Sequence, residues 1–331
     1  MKIVHGLRSM APLDEPAVVT VGTFDGVHVG HQAILRRVVE TARARNALGV
    51  AITFEPHPRV VLGRPEEGLL LTSAAHKLQL IEAQGVDLAV VVNFDRSFAD
   101  IDAEAFVCDL LATRFRLRAV IIGSTSRFGK NASGDARFLQ QCGTKMGFDV
   151  DVVESVRVDD MVVNSTVVRT LVQGGELDQA AAFLGRPFSV LGTVVQGATR
   201  GRRVGYPTAN LDPHNEVVPP CGVYAVRVWM GGRERPARRE RLARRELGGV
   251  LNVGFRPTFE DPDQVSRAVE VNILDFDELI YGCELEVIFV RKLREERRFG
   301  SVELLREQIR RDVLEAREAL GMTRPDSPAQ P

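Results

Sequence analysis

Apolar residues in the first half of the chain fall into short continuous runs separated by stretches with helical spacing. AVVTVG (residues 17–22), GVAITFEP (49–56), DLAVVVNF (87–94) and AVIIGS (119–124) read as strands with both faces buried, because near-continuous Val, Ile and Ala leave no side for water. GHQAILRRVVETARARN (30–46) and a stretch near 76–84 carry the 3.6-residue period instead. A polar loop and FLQQCGTKMGFDVDVVESV (138–156) follow the last strand. This βαβ rhythm, from residue 17 to about 155, predicts a parallel, doubly wound, Rossmann-like sheet. Ligands on such sheets bind beyond the carboxyl ends of the strands, where His28, His31 and the loops after Phe54 and Gly123 converge.

The pattern changes after VNSTVVRTLVQGGELDQAAAFLGRPF (163–188). SVLGTVVQG (189–197), GVYAVRVWM (222–230), GGVLNVGF (248–255), RAVEVNIL (267–274) and ELEVIFVRK (284–292) are alternating strands separated by Gly and Pro turns, which suits a compact antiparallel barrel. SVELLREQIRRDVLEAREAL (301–320) is a charged amphipathic helix closing that domain. The reading is a first domain over 1–185, a second over 186–322, and a disordered tail over 323–331.

A chain of 331 residues suits two domains. Its formal net charge of −1 supplies no global field toward nucleic acid or an anionic membrane, so neither is expected as a partner. Cys108, Cys142, Cys221 and Cys283 stand singly, without metal-ligand spacing, as reduced thiols in a cytoplasm do. The first residues lack a long apolar stretch and a cleavage site, so a soluble, unprocessed cytoplasmic protein is expected. Oligomeric state is not legible.

The chemistry concentrates at VGTFDGVHVGHQ (21–32), where a strand passes through a Gly-flanked turn into a helix. Backbone N–H groups and the helix dipole favour a polyphosphate there, and His28 and His31 can donate to phosphoryl oxygens. Taken alone, the two histidines are equally a surface pair or half of a zinc site, although no second His/Cys cluster has metal spacing. The segment resembles the HxGH signature of nucleotidyltransferases, in the FDGVHxGH form of prokaryotic bifunctional riboflavin kinase/FMN adenylyltransferases. FEPHPRVVL (54–62) and LTSAAHKLQLIEAQGVD (71–87) match the same family in order, and VNSTVVR (163–169) resembles its ISSTxxR signature.

The resemblance implies an ATP site of Gly22, Phe24, His28, His31, Ser165, Thr166 and Arg169, with His28 and His31 catalytic. It implies flavin contacts from His57, Pro58, Thr125, Arg127 and Phe128. In the second domain GRRVGYPTANL (201–211) resembles the kinase GRxxGxPTAN motif. Gly201, Gly205, Thr208 and Asn210 would then bind ATP, with Thr208 and Asn210 holding Mg²⁺. VGFRPTF (253–259) resembles a flap, and Glu270 in AVEVNILDF (268–276) is the implied base at the riboflavin 5′-hydroxyl. Without the resemblance, 165–169 is a helix N-cap with a solvated arginine, PTAN an ordinary turn, and Glu270 a solvent-facing carboxylate.

The family usually carries Asp or Asn and then Phe where this chain has Thr125 and Ser126. Asn164 replaces a usual Ser, and Asn272 stands where His or another polar residue is common. An inserted run, 231–249, has mixed charges and reads as a solvated short helix. The implied function is FAD biosynthesis from riboflavin through FMN with ATP and Mg²⁺. A riboflavin kinase with an inactive or acceptor-altered first domain is the alternative, and a non-catalytic flavin or nucleotide sensor is a third reading.

Overall fold

The computed structural model describes residues 1–63, 70–196, 205–214, 217–230, 245–257 and 265–323. Two compact units emerge: one comprises residues 1–168 and 183–185, the other 169–182 and the remainder from 186 onward.

The first unit holds a six-stranded sheet of order β1-β4-β3-β2-β5-β6, parallel at every pairing. Its strands are β1 (Lys2–His5), β2 (Pro16–Val21), β3 (Leu48–Glu55), β4 (Leu88–Asn93), β5 (Arg116–Gly123) and β6 (Asp149–Val153). The central strands are sealed on both faces, as their uninterrupted apolar runs require: Val18, Val19, Ile52 and Val90 are wholly buried. Helix α1 (Val29–Ala44) follows β2, and α3 (Ala74–Glu82) precedes β4, with the short α2 (Pro58–Leu62) after β3. From β2 the chain builds outward through β3 and β4 on one side, then crosses to β5 and β6 on the other. The crevice between the ends of β2 and β5 is therefore a topological switch point.

Three elements depart from the sequence expectation. β1 pairs with β4 along the sheet edge, where an exposed four-residue run has no apolar signature. Residues Phe106–Leu111 wind as a π-helix, and Arg157–Val158 with Met161–Val162 form a hairpin, β7 and β8.

The second unit contains a closed antiparallel barrel of order β10-β13-β12-β11-β14-β9. It comprises β9 (Ser189–Val195), β10 (Ala209–Pro213), β11 (Gly222–Met230), β12 (Arg245–Pro257), β13 (Val265–Ile273) and β14 (Glu284–Arg294). Tyr224 fills the interior edge-on to Phe289, and its hydroxyl donates to the Pro220 carbonyl at 2.6 Å. Helix Val302–Leu320 lays Ala316 and Leu320 on Val223, Ala225, Val250 and Leu274. It begins at a Ser301 cap and ends at Gly321 in the left-handed region.

PTAN is more than a turn, because Ala209 and Asn210 already lie in β10. The inserted run is corrected at its end: residues from Arg245 onward are strand, since their alternation pairs with β11. Residues 231–244, Gly201, part of the flap motif and the tail from 324 lie outside the described residues.

Candidate functional site

In the first unit the chain leaves β2 through a turn that needs unusual backbone geometry. Phe24, Gly26 and Val27 all have positive φ, at 51°, 78° and 38°. Such conformations persist only where surrounding contacts over-determine them, and they cluster at functional sites. Here the restraints are Asp25 and Thr72. The buried Asp25 carboxylate accepts from the backbone N–H groups of Leu71 and Thr72 at 2.8 and 3.2 Å, and the Gly26 N–H donates to the Thr72 hydroxyl at 3.0 Å.

The turn delivers His28 as the N-cap of α1, with its Nδ1 accepting from the His31 backbone N–H at 3.3 Å. The two imidazoles stack at 3.6 Å between centroids, 15° from parallel, and the Phe24 ring meets His31 edge-on at 5.3 Å. Gly30 leaves room for this stack, since a Cβ would sit 3.2 Å from the His28 ring and crowd it. His31 Nδ1 is shut off from solvent and has no hydrogen-bond partner. Burial pushes the His31 pKa well below 6.5, with His28 and Lys77 adding to the shift. A neutral, stacked imidazole with an orphaned nitrogen is a group awaiting a polar ligand.

Beside His31 opens a cavity of about 670 Å³. Its wall includes Gly22 and Phe24 from the first turn, Pro58 from α2, and Ser126, Arg127 and Phe128 from the loop after β5. Phe54, Phe94, Phe98, Phe106, Phe128 and Phe138 form a chain of rings with successive centroids 5.4 to 6.3 Å apart, and all but Phe138 line the cavity. Beside Phe128, which the resemblance implied, the aromatic surface comes from Phe54, Phe94, Phe98 and Phe106, which sequence reading missed because they come from three separate segments. Thr125 is exposed, and neither it nor His57 is among the lining residues. The His57 Nδ1 instead caps α2 by accepting from the Arg59 N–H at 3.0 Å. Gly129, with φ of 73°, lets the loop pass Ala103, whose backbone would lie 2.6 Å from any Cβ.

The ISSTxxR-like segment joins the same turn. Ser165 donates its hydroxyl to the Asp25 carbonyl at 2.9 Å. The helix cap is Asn164, whose side-chain oxygen accepts from the Val167 N–H at 2.9 Å, so the replacement of Ser at this position keeps a competent cap. Thr166 is exposed at the start of helix Ser165–Gly174, and Arg169, one turn further on, is buried.

In the second unit strand register does the assembling. Asn210 pairs with Glu270 across β10 and β13, Glu270 pairs with Asn252 across β13 and β12, and Asn252 pairs with Val223, which pairs with Arg294 on β14. Directly paired residues share a face of the sheet with Cβ atoms about 5 Å apart. One row therefore carries Asn210, Glu270, Asn252 and Arg294. Arg294 is held by a bidentate ion pair to the buried Asp312 of the C-terminal helix, at 2.9 and 2.7 Å. It also lies over the Phe299 ring at 5.7 Å, and Arg297 covers that ring at 4.9 Å. Asn252 was not legible as a neighbour of Glu270, because only the register of β12 on β13 pairs them.

Thr208 immediately precedes β10 and, two residues from Asn210 in extended chain, projects to the same side. With Gly205 it lines a cavity of about 340 Å³ that extends to Tyr281 but does not include Asn210 or Glu270. Asn272, on the strand carrying Glu270, donates from its amide to the Pro207 carbonyl at 2.7 Å and fastens the PTAN turn. Thr208 and Asn210 offer neutral hard oxygens, and no group of three His, Cys, Asp or Glu suited to a metal occurs among the described residues. That donor set fits Mg²⁺, which keeps water and takes substrate phosphates as ligands rather than an all-protein cage.

No helix among the described residues is long and apolar enough to cross a membrane. A family model described as FAD synthetase matches residues 10–167, and one described as riboflavin kinase matches 184–320. The bifunctional riboflavin kinase/FMN adenylyltransferase of Escherichia coli strain K12 is 38% identical, with 98% of this chain and 100% of that one covered. The protein of the same name from Bacillus subtilis is 32% identical, with 95% and 96% covered. Among solved structures, one described as a macrolide-efflux protein from Streptococcus pneumoniae superposes with a TM-score of 0.80 at 27% identity, covering 96% of this chain and 99% of that one. With relatives of this identity aligned end to end, and a parallel nucleotide-type sheet followed by a closed barrel, the chain belongs to the bifunctional riboflavin kinase/FMN adenylyltransferase family.

Proposed function

We propose that the chain makes FAD from riboflavin in two ATP-dependent steps, one in each unit, within working domains of 1–185 and 186–322. The observation that carries this reading is the pairing of two independent constellations in one chain: stacked His28 and His31 beside an aromatic cavity, and Asn210 and Glu270 side by side on adjacent strands of a barrel.

In the barrel, the riboflavin 5′-hydroxyl attacks the γ-phosphorus of ATP, the bond to ADP breaks, and Glu270 accepts the hydroxyl proton. Phosphoryl transfer rests on positioning and charge neutralisation, so the part of Glu270 is chiefly to orient the nucleophile. Thr208 and Asn210 would hold Mg²⁺, which when bound neutralises charge on the phosphates. Gly205 belongs to the same ATP-binding loop, and we assign Gly201 with it.

In the first unit, the FMN phosphate attacks the α-phosphorus of ATP and pyrophosphate leaves. Gly22, Phe24, Ser165, Thr166 and Arg169 bind ATP in this reading, while His28 and His31 donate to the oxygens that gain charge. Pro58, Arg127 and Phe128 contact the flavin, and His57 acts by capping α2 beside it. The four cysteines form no disulfide among the described residues, which supports a cytoplasmic setting.

Product chromatography tests both halves, with riboflavin, ATP and Mg²⁺ in one reaction and FMN, ATP and Mg²⁺ in the other. FAD in both is expected. FMN alone in the first and no product in the second would leave only the kinase half standing; flavin binding without ATP consumption would remove both.

A further inference from the structure

Gln32 follows His31 directly, and no step above uses its side chain. The Gln32 amide donates to two backbone carbonyls, that of Val27 at 2.9 Å and that of Leu184 at 2.7 Å. Val27 stands immediately before His28 in the strained turn, whereas Leu184 ends the helix Leu177–Leu184, 152 residues away in sequence. The last carbonyls of a helix have no partner within it, and α1 supplies a donor to this one.

The two segments approach closely around that amide. Gly185 has φ of 66°, and a Cβ there would lie 2.9 Å from Val29 Cγ1 and 3.3 Å from the Gln32 side-chain oxygen. Phe183 and Leu184 are buried, and residues 183–185 belong to the first compact unit although 169–182 do not. At the other end of the amide, Val27 is a β-branched residue at φ of 38°, a conformation its own side chain disfavours, and it sets the direction in which His28 leaves the turn. The turn is held residue by residue: Thr53 donates to the Thr23 carbonyl at 3.1 Å, Leu71 and Thr72 hold Asp25 and Gly26, and Gln32 holds Val27.

We infer that Gln32 is a positioning residue for adenylyl transfer: its planar amide, seated on the Val27 and Leu184 carbonyls, fixes the turn that aims His28 and His31 and makes residues 183–185 part of that site's framework. This rests on the nucleotide reading of the first site. Donors that meet charge appearing in a transition state must already be in place when it forms, so loss of this seat falls on kcat more than on ATP binding.

The test uses the full chain, with adenylyl transfer and riboflavin phosphorylation assayed separately. Gln32→Met keeps the length of the side chain and removes both donors. Its kcat for FAD formation from FMN falls on the order of tenfold while the KM for ATP stays within about twofold, and the ring-nitrogen signals of His28 and His31 shift in histidine-labelled protein. Gln32→Glu turns a carboxylate toward two carbonyls, and only its protonated form can donate, to one of them. Its kcat, taken as a ratio to that of the parent at the same pH, therefore rises as the pH is lowered, a recovery that lost packing would not give. Riboflavin phosphorylation is unchanged in both variants. A folded Gln32→Met chain with the parent's kcat in adenylyl transfer, or a ratio for Gln32→Glu that does not move with pH, overturns the proposal and leaves Gln32 as a tie between two helices. Where Gln32→Met does not fold, Gly185→Ala decides, because its Cβ pushes the Leu184 backbone away from Gln32: a kcat about threefold lower with the KM for ATP kept supports the proposal, and the parent's kcat overturns it. Absence of adenylyl transfer in the parent chain would defeat the functional reading, while the His28 and His31 signals in Gln32→Met would still decide the positioning.

Discussion

The two units build their sites by opposite routes. In the first, the sheet contributes little more than the ends of its strands, and the chemistry lies on loops fastened by backbone hydrogen bonds and strained φ angles: the Phe24–Val27 turn, its clamp by Asp25 and Thr72, and the Gly129 crossing. In the second, the strands themselves carry the site, and side chains from distant positions meet because register sets them in one row. A loop-built site concentrates its residues in short motifs. A register-built site scatters them along the chain and hides all but the strongest.

The largest effect should come from Glu270→Ala, which removes the base from the row. FMN formation falls about 10²–10⁴-fold while FAD formation from FMN is spared, as separate assays of the two half-reactions would show. If both fell in a folded variant, the separation of the two routes would be wrong. Asp312→Ala comes next, because it leaves Arg294 facing a buried gap. Breaking a buried pair costs about 3–5 kcal/mol, so denaturant unfolding should show the second unit weakened and the first unchanged.

His31→Ala is the mirror of Glu270→Ala. FAD formation from FMN drops roughly 10²–10³-fold with riboflavin phosphorylation intact. Asn272→Ala removes one hydrogen bond from the PTAN turn, worth about 1 kcal/mol, and should raise the kinase KM for ATP about fivefold with little change in kcat. The smallest effect is on pH. His31 is held neutral below its ordinary 6.5, so the unfolded chain binds the extra proton and the first unit loses stability as pH falls below that value. His31→Gln should flatten that acid limb in thermal unfolding measured across pH, and an unchanged limb would place the cause elsewhere.

Much of this architecture was legible. Uninterrupted Val and Ile runs gave the parallel strands, because only a sheet covered on both faces tolerates them, and the switch to alternation gave the barrel. β1 escaped notice because an exposed edge strand needs no apolar pattern, and its pairing with β4 is a matter of backbone alone. The π-helix at Phe106 escaped because apolar spacing does not separate it from an α-helix. Among site residues, His28, His31, Asn210 and Glu270 stood out through motifs. The Phe usual in the family is missing at Ser126, yet Phe24, Phe54, Phe94, Phe98 and Phe106 from other segments line the cavity.

What the sequence by itself determined is the class of each layer and the short segments where chemistry sits, since hydrophobic period and turn chemistry are local properties. Only the tertiary structure decided which distant groups meet. The stacking of His28 on His31 requires a clamp from Asp25 to a segment 46 residues away. Glu270 gains Asn210 and Asn252 as direct neighbours through register. These juxtapositions arise from packing and strand pairing between segments remote in the chain, and no local period encodes a neighbour that folding alone brings near.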